Sequence, residues 1–256
     1  MDDRAWFGSY DEGVPRDVEF ENVPLSEWVD RSAADAPDSS ALIWLNAKLN
    51  YRQLKDEVDR FATALSGLGV VKGTRVAIQM PNVPQLVIAY FAVMRLGGVV
   101  VMTNPMYMPF EIEHQWNDAD VEVAIVMDFI YEQKLADVRS KLPAKHFILA
   151  SFPEYLRFPM RQLAPFKLRR RDPPAIAQVP ASENVHMFRD LVRANQPEPP
   201  EVDVDIEAVR TGRPQVVEIL RASGGKLGSE LGKDPDRNIA ALKEYVAAGK
   251  DVNARD

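Results

Sequence analysis

Between residues 41 and 150, short apolar runs alternate with segments whose apolar residues recur every three or four positions, and this alternation constrains the fold most. Ala41-Leu42-Ile43-Trp44-Leu45 reads as a strand and Asn46-Ala47 as a turn. From Tyr51 the apolar positions Leu54, Val58, Phe61, Leu65 and Leu68 predict an amphipathic helix that Gly67 and Gly69 end. Arg75-Val76-Ala77-Ile78-Gln79-Met80 reads as a short buried strand. Pro84 then opens a helix at its first turn, which runs to Arg95-Leu96 and stops at Gly97-Gly98. Val99-Val100-Val101-Met102 is β-branched and reads as another buried strand. The pattern repeats with helices over 109–117 and 131–141 and strands over 121–127 and 146–150. Strands alternating with helices predict an α/β fold: a partial, mostly parallel sheet with helices packed on it.

The flanks differ. Residues 1–24 are acidic, contain Gly13 and Pro15, and read as an extended arm. Ser26 is expected to cap a short helix to about Ala36, with Leu25, Trp28 and Val29 as its apolar contacts. From Phe152 onward Pro153, Pro159, Pro165, Pro173, Pro174 and Pro180 interrupt regular structure. Residues 186–194 read as a short helix, and the Pro- and Glu-rich 196–201 as a linker. Two more helical patterns follow, over 206–222 and 237–248. The expected division is a sheet-bearing portion over 1–195, a linker over 196–205 and a small helical tail over 206–256.

Composition excludes several functions. With no cysteine there is neither disulfide nor thiol chemistry, and the three histidines, His114, His146 and His186, show no metal-ligand spacing. A net charge of −7 argues against nucleic acid as a partner. The longest apolar run, Leu86 to Met94, is nine residues, whereas a spanning helix needs roughly 20. The acidic N-terminus has no apolar signal region. A cytoplasmic protein is expected, with peripheral membrane contact left open.

Several separated motifs keep a common order and spacing. Leu49-Asn50-Tyr51-Arg52-Gln53-Leu54 and Lys72-Gly73-Thr74-Arg75-Val76-Ala77-Ile78 precede Met80-Pro81-Asn82-Val83-Pro84-Gln85. Arg95-Leu96-Gly97-Gly98-Val99-Val100-Val101, Asn104-Pro105-Met106-Tyr107 and Glu111-Ile112-Glu113-His114-Gln115-Trp116-Asn117-Asp118 follow. Over about residues 1–205 the chain resembles the N-terminal segment of the AMP-forming long-chain fatty acid CoA ligases of the adenylate-forming superfamily. The resemblance implies a two-step ligase, in which a fatty carboxylate attacks ATP to give acyl-adenylate and pyrophosphate, and CoA then displaces AMP. It implies fatty acid, ATP, Mg²⁺ and CoA as the family's substrates and cofactors. It also implies that the phosphate loop, the ribose-binding Asp and the C-terminal lysine lie after this segment. No catalytic, cofactor-binding or metal residue is therefore assigned in this chain, and no cofactor is expected to bind it alone.

The tail carries a second resemblance. Ala208-Val209-Arg210-Thr211-Gly212, Val216-Val217-Glu218-Ile219-Leu220 and Asn238–Val246 resemble degenerate ankyrin-repeat helices, which would make 206–256 a protein-binding face. Ser223-Gly224-Gly225-Lys226-Leu227-Gly228 resembles the family's phosphate loop but puts Lys226 and Leu227 at its hydroxyl positions, with Leu231 where the loop lysine belongs, so it reads better as a helix-ending glycine turn. The alternative function is thus a non-catalytic interaction module on a ligase-derived scaffold.

Simple structural readings suffice for the remaining candidates. His114 is expected to make a structural hydrogen bond, His146 at a strand start and His186 near a helix start to be structural, and Glu111, Glu113, Asp118 and Asp120 to form a solvated helix face. The basic stretch Arg157–Arg171 holds six cations and no acid, interleaved with Phe158, Met160, Leu163, Phe166 and Leu168. Two readings stay open for it: a membrane-surface contact, or a surface hairpin packed on further protein, the prolines arguing against a long amphipathic helix. A sheet that stops partway is expected to leave edge strands and one apolar face uncovered, and the isolated chain to be marginally stable or to aggregate.

Overall fold

The computed structural model describes residues 5–15, 21, 23–180 and 182–204. The expected helices at 206–222 and 237–248 and the turn at 223–228 lie outside these residues. Helix α1 (Glu27–Asp35) leads into an antiparallel hairpin of β1 (Ser40–Trp44) and β2 (Ala47–Asn50). Helix α2 (Tyr51–Gly67) follows. Strands β3 (Arg75–Gln79), β4 (Val99–Met102), β5 (Val123–Met127), β6 (His146–Ala150) and β7 (Val185–Met187) form one parallel sheet in the order β4-β3-β5-β6-β7. Its connections are α3 (Pro84–Arg95), α4 (Pro109–Asp118), a helical stretch from α5 (Asp128–Ile130) through residue 141, and α6 (Met160–Arg169), with α7 (Phe188–Ala194) after β7.

Right-handed crossovers explain the layering. The chain steps from β3 outward to β4 and then returns past β3 to β5, so α3 and α4 fall on opposite faces. Val76, Ile78, Ile125, Met127 and Ile148 point into one core with α2, α3 and α7. Their neighbours Ala77, Ala124, Val126, Phe147 and Leu149 point into the other, against Ile112 and Trp116 of α4 and Tyr131 and Leu135. Burial on both faces is why all five residues of β5 are apolar. The expectation of an uncovered apolar face is therefore not met over the central strands. What stays open is the β4 edge, where Val99 and Met102 are exposed, so the buried strand expected at 99–102 is an edge strand.

Local chemistry sets the helix ends. Asn50 Oδ1 accepts from the Gln53 amide at 2.8 Å while Gln53 Oε1 accepts from the Asn50 amide at 3.0 Å, a reciprocal cap on α2. Ser26 precedes α1 but makes no side-chain cap; its backbone is already helical, and turn bonds to the carbonyls of Pro24, Leu25 and Ser26 start the helix instead. Residues 128–141 are helical as expected over most of their length, but pass from α through π (Tyr131–Leu135) to 3₁₀ geometry (Ala136–Lys141). Two strands escaped the sequence reading. The supposed turn at Ala47 begins β2, and the supposed helix start at His186 lies in β7, with α7 beginning at Phe188.

Ion pairs join the helices on the first face. Arg95 donates to Asp30 at 2.8 Å and contacts the buried Asp59 at 3.0 Å, an ion pair whose angle falls short of a hydrogen bond. Lys55 pairs with Asp59 and lies 3.3 Å from Asp30, so α1, α2 and α3 share one cluster. Replacing Asn50 with Ala removes one half of the α2 cap and is expected to cost about 1 kcal/mol. Urea unfolding should show this as a lower midpoint with an unchanged slope.

Candidate functional site

In open parallel sheets ligands bind outside the carboxyl ends of the strands, where the strand order reverses. Here that edge carries Gln79 at the end of β3, Thr103 and Asn104 after β4, Asp128 after β5 and Ser151 after β6. The reversal lies at β3, with β4 on one side and β5 on the other.

The β4 side is a hydrogen-bonded support. Gln79 is fully buried and donates to the Asn104 carbonyl at 3.1 Å, while its Oε1 has no partner among the described residues. Thr103 accepts from the Trp116 indole at 2.9 Å, which pins α4 to the strand end. Asn104 accepts from the Met106 amide at 2.9 Å, and Lys134 donates to the carbonyls of Pro105 and Tyr107 at 2.9 and 2.8 Å. Burial lowers the Lys134 pKa, and Glu111 opposes that shift.

The β5–β6 side is ionisable. Gln85, in the first turn of α3, donates to the Ser151 carbonyl at 2.9 Å and to Glu154 at 2.8 Å. Glu154 keeps some surface as a residue, yet its carboxyl is enclosed, and burial raises its pKa to about 7 despite the bonds from Gln85 and the Ser151 backbone. Burial also raises Asp128, against hydrogen bonds from Ser151 and from the Phe129 and Ala177 backbones. Both carboxyls border a cleft of about 630 Å³, together with Ser151, Arg169, Ile176 and Met187. On its other side Glu154 borders a second cleft, of about 460 Å³. There Glu57 accepts from Tyr155 at 2.6 Å and from Arg189 at 2.5 Å, and the Arg189 guanidinium lies 4.8 Å from the Tyr155 ring centre. Burial pushes the Tyr155 hydroxyl well up, with the Glu57 charge adding to it.

A carboxyl that holds its proton toward neutrality, as Glu154 does, can give or take a proton in a mixed cleft. The three histidines lie elsewhere. His146 Nδ1 and His186 Nε2 meet at 3.3 Å across β6 and β7, as structural groups. His114 is exposed on α4 and makes no hydrogen bond among the described residues, contrary to the structural bond expected of it. Glu111 accepts from the Met108 amide at 2.8 Å at the start of α4, and Asp118 and Asp120 are exposed. Among the described residues no group of three or more His, Asp or Glu side chains is placed to hold a metal ion. No helix among them is long and apolar enough to cross a membrane. Gln85, Asp128 and Glu154 escaped the sequence reading; the available signal was a polar residue directly after an apolar strand, as in Met127-Asp128 and Ala150-Ser151.

The Glu154 shift has a definite sign. Below about pH 4.5 both the folded and the unfolded chain hold the proton. Between there and about 7 only the folded chain does, so stability falls as pH rises and the deficit persists above. Glu154→Gln keeps the size without the charge. It is expected to stabilise the protein by about 2–3 kcal/mol at about pH 8 and by much less at about pH 5, as read from urea midpoints at the two values.

Residues 29–188 match the AMP-binding enzyme family. The long-chain-fatty-acid–CoA ligase of Bacillus subtilis is 28% identical over 249 residues, covering 96% of this chain and 42% of that protein. That span takes in most of the residues beyond 205, which the sequence reading gave to an ankyrin-like tail. The enzyme of the same name from Escherichia coli O6:H1 is 34% identical over 155 residues, 60% of this chain and 28% of the relative. The chain thus spans less than half the length of these relatives. Among solved structures, a long-chain-fatty-acid-CoA ligase from Archaeoglobus fulgidus superposes with a TM-score of 0.58 at 20% identity, over 76% of this chain and 34% of that one. A benzoate CoA ligase from Burkholderia xenovorans does so at 0.54 and 16%, over 73% and 31%. These two establish likeness of fold. With the family match covering more than half of its length, the chain belongs to the AMP-binding enzymes.

Proposed function

We propose that this chain is the N-terminal portion of a cytoplasmic long-chain fatty acyl-CoA ligase, which supplies part of the acyl-binding subdomain and does not complete adenylation alone. The match to the Bacillus subtilis ligase over 96% of the chain carries the reading. In the reaction proposed, a fatty carboxylate oxygen bonds to the α-phosphorus of ATP as pyrophosphate leaves. CoA sulfur then bonds to the acyl carbon as AMP leaves.

The described residues do not suit a triphosphate. The 630 Å³ cleft at the carboxyl edge is bordered by two carboxyl groups, and Arg169 is the one cation among the described residues lining it. Polyphosphate needs converging N–H donors and cations. We therefore assign the ATP chemistry to sequence beyond this portion, and to these residues the framing of the acyl side. A protein partner held through 206–256 is the competing reading, and the ligase match over those residues weighs against it.

Purified chain with ATP, Mg²⁺, CoA and a long-chain fatty acid is expected to release no pyrophosphate above an enzyme-free control. Fatty-acid-dependent release would overturn the assignment of the ATP chemistry elsewhere. The family reading is tested by a chimera in which residues 29–188 replace the aligned segment of the Bacillus subtilis ligase. Retained long-chain activity is expected, and a folded chimera inactive on every fatty acid would count against it.

A further inference from the structure

We propose that the α6 segment and the tip of the β1–β2 hairpin together form a docking surface for an anionic lipid bilayer. The first observation is an inverted helix. Within α6 the buried residue is Ala164, with Leu168 half-buried one turn on. At about 100° per residue these two define the inward side, and Phe166 lies opposite with Leu163 next to it. Phe166 is 67% exposed and Leu163 57%, so the side facing water presents two large apolar residues beside Gln162. A helix on a globular protein normally presents the reverse.

The second observation is charge. Arg157, Arg161, Lys167, Arg169, Arg170 and Arg171 flank these apolar residues along the chain, and no acid lies between 157 and 171, although the whole chain carries −7. Among the described residues none of the six enters an ion pair; the Arg157 guanidinium donates only to the Lys48 carbonyl, at 3.3 Å. Basic side chains flanking exposed aromatic and aliphatic ones match a surface that is negative at its headgroups and apolar just beneath.

A distant segment joins the same surface. Asn46 Nδ2 donates to the Arg157 carbonyl at 3.4 Å, and Asn46 Oδ1 accepts from the Arg157 amide at 3.3 Å. This tie sets Leu45, which has φ of 52° at the hairpin tip and is 74% exposed, near Phe158, 81% exposed. Three apolar residues, Leu45, Phe158 and Phe166, are thus exposed on the hairpin tip and the α6 segment, with cations close to the last two in sequence. A bilayer accepts such separated insertions, whereas a protein groove needs a continuous ridge. Of the two readings open for 157–171 the proposal takes the membrane-surface one; in place of the hairpin of the other reading the segment holds a ten-residue helix that contains Pro165.

The proposal is independent of the ligase reading, and its test uses no substrate. The full chain is sedimented with phosphatidylcholine vesicles, with and without a phosphatidylglycerol fraction. Binding is expected to rise on the order of tenfold with the anionic lipid and to fall as salt is raised. The variant Leu45→Ser/Phe158→Ser/Phe166→Ser changes exposed side chains only. It should keep the parent melting temperature and lose most vesicle binding, which separates insertion from simple attraction to phosphate. Equal binding to neutral and anionic vesicles, no binding to either, or full binding by the folded triple variant would each overturn the proposal.

Discussion

Strand β3 is hydrogen-bonded along both edges, to β4 on one side and β5 on the other, both parallel. That double pairing organises the rest. A parallel neighbour needs a crossover, and two crossovers leaving in opposite directions put α3 and α4 on opposite faces. Both faces of the central strands are then covered, and all carboxyl ends emerge at one edge. Backbone groups freed there are met by Gln79, Gln85 and Thr103, so the polar edge follows from the topology.

Two ionic clusters fix the helices above one face. One links α1, α2 and α3 through Asp30, Asp59, Lys55 and Arg95; the other links α2 to α7 through Glu57, Tyr155 and Arg189. Pairs enclosed in this way add little net stability, since desolvation offsets the attraction, but losing one partner strands the other charge. Their effect is to select one orientation of α2, the helix that touches both clusters. Phe61 of that helix sits with its ring centre 4.3 Å from that of Phe188, filling the space between α2 and α7.

The sheet was legible where strands are long and apolar on both faces. Five consecutive apolar residues name β5 as central, and Pro84 and Gly97 bracket α3. Legibility failed where local pattern and position part company. Val99–Met102 has the composition of a central strand, but its place at the edge follows from pairing partners far away. The three residues of β7 include His186, too short and too polar a run to read as a strand. The ionisable site was hidden for a similar reason: Glu154 is enclosed by Gln85, 69 positions earlier, and only the fold brings them together.

One strand carries opposed proton preferences at its two ends. At the start of β6, His146 meets His186 of the β7 edge, and two imidazoles this close cannot both be charged without repulsion. Burial, with the His146 charge behind it, lowers the His186 pKa, so the unfolded chain holds that proton more readily, and this end is weakened as pH falls through the ordinary histidine range. Just past the other end, Glu154 favours the protonated fold and is weakened as pH rises toward 7. The two titrations therefore weaken different parts of the sheet. In acid the first part to open would be the β7 edge with α7 behind it, and in mild alkali the turn after β6. A single melting temperature would not say which end had weakened; amide exchange read strand by strand would.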